Sequence, residues 1–236
     1  MTIGEQMIQV NNKRVRIVSC LRGAKESARA KSMAVIIDVF RASSTIVTLL
    51  ERGVEEIMPV LSIKEALSYK PDWILVGEKG DKKLKGFDFD NSPSTLNRLN
   101  WKAKRVVLTT SNGVEGLIKA QGASEILVGC FLNARAVADC VSQNVNEVVL
   151  VPIGNKGEKR LEDEMCAQMI GKYIMSQPVD VQMIKRTILH SPIAERLKKR
   201  GLRADLRFCL KFNVFNTVPK LGTDMRVRRM SSCTLK

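Results

Sequence analysis

The segment Ile37-Asp38-Val39-Phe40-Arg41-Ala42-Ser43-Ser44 puts a carboxylate, a guanidinium and two hydroxyls directly after an apolar run. Asp38 is the kind of oxygen donor that holds Mg²⁺, and Arg41, Ser43 and Ser44 suit the oxygens of a phosphate group. A plainer account is equally open, in which Arg41 neutralises Asp38 and the serines cap a helix. Gly77-Glu78-Lys79-Gly80 offers a second carboxylate and a cation, although the same residues are ordinary turn formers. Thr109-Thr110-Ser111-Asn112-Gly113 follows another apolar run, where Thr110, Asn112 and the Gly113 backbone could surround an oxyanion or simply begin a helix. Asn133, in Cys130-Phe131-Leu132-Asn133, is a cap or a polar contact. Glu162-Asp163-Glu164 follows the Gly154-Asn155-Lys156-Gly157 loop and opens a helical stretch, where acidic residues complement the helix dipole or join Asp38 around a metal.

Spacing excludes several routes to phosphate chemistry. The single histidine, His190, cannot form a paired-histidine or multi-histidine zinc site. No cysteine is followed six positions later by arginine, and no Gly-x-x-x-x-Gly-Lys-Ser/Thr loop occurs. Asp88-Phe89-Asp90 has the Asp-x-Asp spacing of another phosphatase class, but Lys82-Lys83-Leu84-Lys85-Gly86 precedes it where an apolar strand is needed. Carboxylates with a divalent metal are the route left.

These residues need a scaffold that gathers loops, and the chain has the rhythm of one. Short apolar runs at Ala34–Ile37, Glu56–Val60, Trp73–Val76, Val106–Leu108, Glu125–Val128 and Glu147–Pro152 alternate with helix-like stretches. Helices are predicted from Ser43 or Ser44 to Arg52, closed by Gly53, and from Ser92 to Arg98 with Pro93 in the first turn. Others are predicted over Asn112–Ala120, Asn133–Val141, Glu158–Ser176 and Ala204–Phe212, and Val218–Arg229 reads as extended. The expected fold class is α/β, a mainly parallel sheet with flanking helices. Residues 1–177 form the expected core, and 178–236 a less regular, basic lobe or elaborated edge.

The 236 residues carry a formal net charge of +15 and only 5% aromatics. Such charge attracts anions. It is spread over Lys13–Lys31, Lys79–Lys85, Lys185–Lys211 and Arg226–Lys236 without the aromatic interleaving of a single-strand stacking platform, so no specific nucleic-acid partner is expected. The six cysteines lack a Cys-x-x-Cys pair and read as reduced, buried residues. No signal segment or membrane-length apolar run is visible, so a cytoplasmic protein without a membrane partner is expected, with a homo-oligomer left open.

In order, Ile37-Asp38-Val39-Phe40-Arg41-Ala42-Ser43, Gly77-Glu78-Lys79-Gly80, Gly86-Phe87-Asp88-Phe89-Asp90-Asn91-Ser92-Pro93, Thr109-Thr110-Ser111-Asn112-Gly113, Phe131-Leu132-Asn133-Ala134 and Leu161-Glu162-Asp163 resemble the 2-phosphosulfolactate phosphatase family, often called ComB. The resemblance covers Val35–Ala167, and Ala204–Pro219 more loosely. Lys79 and Asp81 stand where arginine and glycine are common, Asp90 replaces a glycine, and Ser111 and Val114 replace threonines. The resemblance implies a ComB-like α/β fold, Mg²⁺ dependence, and hydrolysis of 2-phospho-3-sulfolactate to sulfolactate and phosphate in coenzyme M biosynthesis. The alternatives are a phosphatase or other phosphate-handling enzyme acting on a different small anionic phosphoester and, behind it, a non-enzymatic nucleic-acid or anion-binding protein.

The roles expected on this basis are specific. Asp38 with Glu162 or Asp163 contacts Mg²⁺, and Arg41 binds phosphate bidentately. Ser43, Ser44, Glu78, Lys79, Asn91, Ser92, Thr110, Asn112, Gly113 and Asn133 surround the substrate. Whether Asp38 instead attacks phosphorus is open at this level.

Overall fold

The structure, a computed structural model, describes residues 6–10, 13–80, 82–144 and 147–230, so Asp81 and Cys233 lie outside the described residues. In chain order the strands are β1 (Gln6–Val10), β2 (Lys13–Ile17), β3 (Met33–Ile37), β4 (Glu56–Pro59), β5 (Ile74–Lys79), β6 (Lys82–Lys83), β7 (Arg105–Thr109), β8 (Ile126–Gly129), β9 (Glu147–Pro152), β10 (Pro219–Leu221) and β11 (Val227–Arg229). The helices are α1 (Cys20–Ala30), α2 (Ala42–Glu51), α3 (Ile63–Leu67), α4 (Pro93–Leu96), α5 (Gly113–Lys119), α6 (Ala134–Asn144), α7 (Leu161–Ile174), α8 (Val181–Leu189), α9 (Pro192–Lys199) and α10 (Arg203–Cys209). The expected α/β class holds, and the six expected strands are β3, β4, β5, β7, β8 and β9.

The strands line up as β1-β2-β9-β3-β8-β10-β11-β4-β7-β5-β6. Two parallel blocks result, β2-β9-β3-β8 and β4-β7-β5, joined by the antiparallel β10–β11 hairpin. The two strands of this hairpin come from the C-terminal segment and lie in the interior of the sheet order. The hairpin's seams are short. β11 meets β4 through one residue pair, Val227 with Ile57, and on either side of it Arg226 and Arg228 both bind the buried Glu56 of β4.

β3 shows why the central strands read as unbroken apolar runs. All five of its residues are buried, and they alternate between two cores. Met33, Val35 and Ile37 pack with residues of α6, α7 and α8, while Ala34 and Ile36 pack with residues of α2 and α5. Both faces of the sheet are covered, and each fully buried Ile or Leu contributes about 1.5–3 kcal/mol. Ser92 caps α4 by accepting from the Thr95 N–H, with Pro93 at the first turn as the sequence indicates. Cys20, Cys130, Cys166 and Cys209 are free thiols, whereas Cys140 is disulfide-bonded and departs from the expectation of reduced cysteines. No helix among the described residues is long and apolar enough to cross a membrane.

Candidate active site

The loops that follow β3, β5, β7 and β9 meet around a cavity of about 700 Å³. Asp38 enters it from the β3–α2 loop, whose path is fixed by local hydrogen bonds. The Asp38 N–H donates to Ser43 Oγ at 2.9 Å, the Ser43 N–H returns to the Asp38 carbonyl at 2.9 Å, and Ser44 Oγ donates to the Val39 carbonyl at 2.8 Å. Ser43 and Ser44 are therefore buried loop ties and stand outside the cavity wall, in place of the substrate contacts expected of them.

From the opposite side, α5 approaches so closely that a Cβ on Gly113 would lie 2.4 Å from Ala42 Cβ and 2.7 Å from Asp38 Oδ2. Only glycine allows that approach. Glu78, Lys79, Asn91, Thr110 and Asn112 line the same cavity as Asp38 and Arg41. Glu78 Oε1 accepts from the N–H and the hydroxyl of Ser111, which joins the β5 and β7 loops.

Glu162 and Asp163 reach the cavity from the first turn of α7 but have different partners. Asp163 is occupied: Oδ1 accepts from the Val39 N–H at 2.8 Å and Oδ2 from the Gly154 N–H at 3.0 Å, clamping two loops together. Gly154 has φ +66°, and a Cβ there would lie 2.1 Å from the Glu158 carbonyl oxygen. Glu162 Oε2 is buried without a hydrogen-bond partner among the described residues, and so is Asn91 Oδ1.

Electrostatics ties the three carboxyls together. Burial, reinforced by Glu162 and Glu78, drives Asp38 up to about 7 against the pull of the Ala42 N–H and Arg41. Burial also raises Glu162, opposed in part by Arg160 and Arg196. Asp163 is raised well above its ordinary value by burial and by its neighbours Asp38 and Glu162. Protons or a cation must compensate such a cluster.

No three His, Cys, Asp or Glu side chains among the described residues form a ready-made metal cage. Mg²⁺ does not need one, because it is held through one or two carboxylates and keeps several waters or substrate oxygens. Asp38 and the unpartnered Glu162 oxygen fit that pattern, and Asp163, with both oxygens engaged by backbone, fits a supporting role.

Two further expected residues lie elsewhere. Asn133 is fully buried, accepting from the Cys130 N–H at 2.9 Å and donating to the carbonyls of Val128 and Thr217. Ser92 donates to Asp205 Oδ1 at 2.7 Å behind the cavity wall. The wall also holds residues that the motifs did not single out, including Asn155, Lys156, Arg160, Arg196 and Arg200. Arg196 and Arg200 stand four residues apart at the C-terminal end of α9, a same-face spacing within a basic stretch that was their only signal.

A family model described as 2-phosphosulpholactate phosphatase matches residues 20–224. A probable 2-phosphosulfolactate phosphatase of Clostridium acetobutylicum is 32% identical over 216 residues, covering 83% of this chain and 92% of the relative. One from Thermotoga maritima is 36% identical over 205 residues, covering 80% of this chain and 88% of the relative.

Proposed function

The chain belongs to the 2-phosphosulfolactate phosphatase family, and from that premise we propose that it hydrolyses 2-phospho-3-sulfolactate to 3-sulfolactate and phosphate with Mg²⁺, as a step of coenzyme M biosynthesis. The observation that carries this reading is one cavity holding three buried carboxyls, Asp38, Glu162 and Asp163, of which Glu162 keeps an oxygen without a partner among the described residues, with Arg41, Lys79, Lys156, Arg160, Arg196 and Arg200 in the same lining. Mg²⁺ bound by Asp38 and Glu162 would supply positive charge to a phosphoryl oxygen and acidify a water.

The chain's own residues do the rest. Arg41 takes two phosphate oxygens, and Asn91, Thr110 and Asn112 orient the ester. Lys79, Lys156, Arg196 and Arg200 balance the carboxylate and sulfonate that the substrate carries besides its phosphate. Asp163 ties the β3–α2 loop, which carries Asp38, to the β9–α7 loop, which leads to Glu162. A cytoplasmic location, with a small anionic phosphoester as the substrate, belongs to the same reading.

The test is phosphate release from 2-phospho-3-sulfolactate by purified protein with Mg²⁺ or with excess chelator. Turnover with Mg²⁺ that chelator abolishes is the expected result. No release from this ester, or equal release in chelator, defeats the proposal.

A further inference from the structure

Arg41 is 3% exposed, yet it lines the cavity. Its Nη1 donates to Asp205 Oδ2 at 2.9 Å, and both side chains of this pair are almost wholly buried. The other carboxylate oxygen, Asp205 Oδ1, accepts from Ser92 Oγ at 2.7 Å, from Ser94 Oγ at 2.6 Å and from the Ser94 N–H at 3.1 Å. Asp205 itself is not part of the cavity wall.

We infer that Asp205 is a positioning residue for Arg41, setting the plane of the guanidinium in which the cavity receives a phosphate group. The inference rests on the phosphatase reading of the same cavity.

Bidentate recognition of phosphate by arginine depends on the orientation of a planar fork at the end of a long, flexible side chain. Something must hold that fork. Asp205 is suited to it because three donors from the N-terminal turn of α4 fix one oxygen and leave the other aimed at Arg41. The pair does not serve only to pin α10 on α4, because Ser92 and Ser94 already join those two helices, whereas Arg41 comes from the β3–α2 loop. Nor is net stability a sufficient reason, since a buried ion pair generally contributes little beyond a well-packed apolar substitute.

The experiment measures binding of inorganic phosphate to the Mg²⁺-loaded full chain, alongside turnover, in a double-mutant cycle of Asp205→Asn and Arg41→Lys. Asp205→Asn is expected to weaken phosphate affinity by roughly tenfold or more and to lower kcat/KM with it, leaving Mg²⁺ affinity unchanged. In the Arg41→Lys background the same change is expected to cost almost nothing further. A purely structural role would instead lower the melting temperature and reduce affinity by the same factor in both backgrounds.

Ser94→Ala supplies a second cycle should Asp205→Asn fail to fold, because it removes one of the donors steering Asp205 from a half-buried position. It is expected to weaken phosphate binding about two- to fivefold, again only while Arg41 is present. Unchanged phosphate affinity in Asp205→Asn, or equal losses in the two backgrounds of either cycle, overturns the inference alone. Wild-type protein that neither binds phosphate nor hydrolyses any phosphoester overturns the phosphatase reading and this inference together.

Discussion

Asp38 lies in the fold at a place that disfavours its own charge. With its carboxyl raised from 3.8 to about 7, the metal-free folded protein keeps a proton that the unfolded chain has already lost between those values. The folded state binds more protons at Asp38 in that window, so the contribution of Asp38 to metal-free stability falls as pH rises from about 4 to about 7 and is level above it. Mg²⁺ competes with that proton, so its affinity is expected to drop about tenfold per pH unit below about 7. Thermal melts at about pH 5 and about pH 8, with and without Mg²⁺, check both statements: stabilisation by Mg²⁺ should be confined to the higher pH. Asp38→Asn is expected to lower turnover on the order of 10²-fold or more, and to make the metal-free protein at least as stable as wild type at about pH 8. A clear loss of stability at that pH would mean that Asp38 is held by partners stronger than those described.

The approach of α5 to the β3–α2 loop is a matter of whole elements. Gly113→Ala puts a methyl group 2.7 Å from Asp38 Oδ2 and 2.4 Å from Ala42 Cβ, so α5 must retreat. The expected cost is about 1–3 kcal/mol of stability, with a fall in kcat, because the Asp38 carboxylate shifts with its loop. Asn133 provides the contrast. Asn133→Ala leaves the Cys130 N–H and the Val128 and Thr217 carbonyls without their partner, which should cost about 2 kcal/mol or more in a denaturant melt. The kcat of the folded fraction should stay close to wild type, because Asn133 does not reach the cavity. A lowered kcat in well-folded Asn133→Ala protein would restore it to the site.

Across the whole molecule, the charge of +15 is long-range and open to screening. Part of it gathers at the cavity, where α9 and its C-cap contribute Arg196 and Arg200, β5 contributes Lys79, and Lys156 and Arg160 come from the segment between β9 and α7. Raising salt from about 50 mM to about 200 mM is expected to lower kcat/KM for a multiply anionic ester several-fold while kcat changes little. Arg200→Ala should flatten that dependence. A kcat/KM insensitive to salt would mean that these cations serve solubility and not capture.

The sequence alone determined the βα rhythm and the loops that carry Asp38, Glu78, Asn91, Thr110, Asn112 and Glu162, because buried strands must be apolar and polar clusters beside them then fall in loops. It could not distinguish a side chain turned into the cavity from one turned back on its own loop. Ser43 and Ser44 are as apt for phosphate as for backbone, and only the folded loop, with Ser43 on the Asp38 amide and Ser44 on the Val39 carbonyl, decides between them. Likewise Glu162 and Asp163 are neighbours of the same chemistry, and what separates them is that Asp163 meets two backbone N–H groups, one of them 124 residues away at Val39. Asp205 was out of reach of the motifs because its partners, Arg41, Ser92 and Ser94, come from other parts of the chain. The interior place of the β10–β11 hairpin was out of reach for a similar reason: three-residue strands leave almost no periodic pattern, and their pairing is settled by the gap between β8 and β4 that the rest of the sheet leaves to fill.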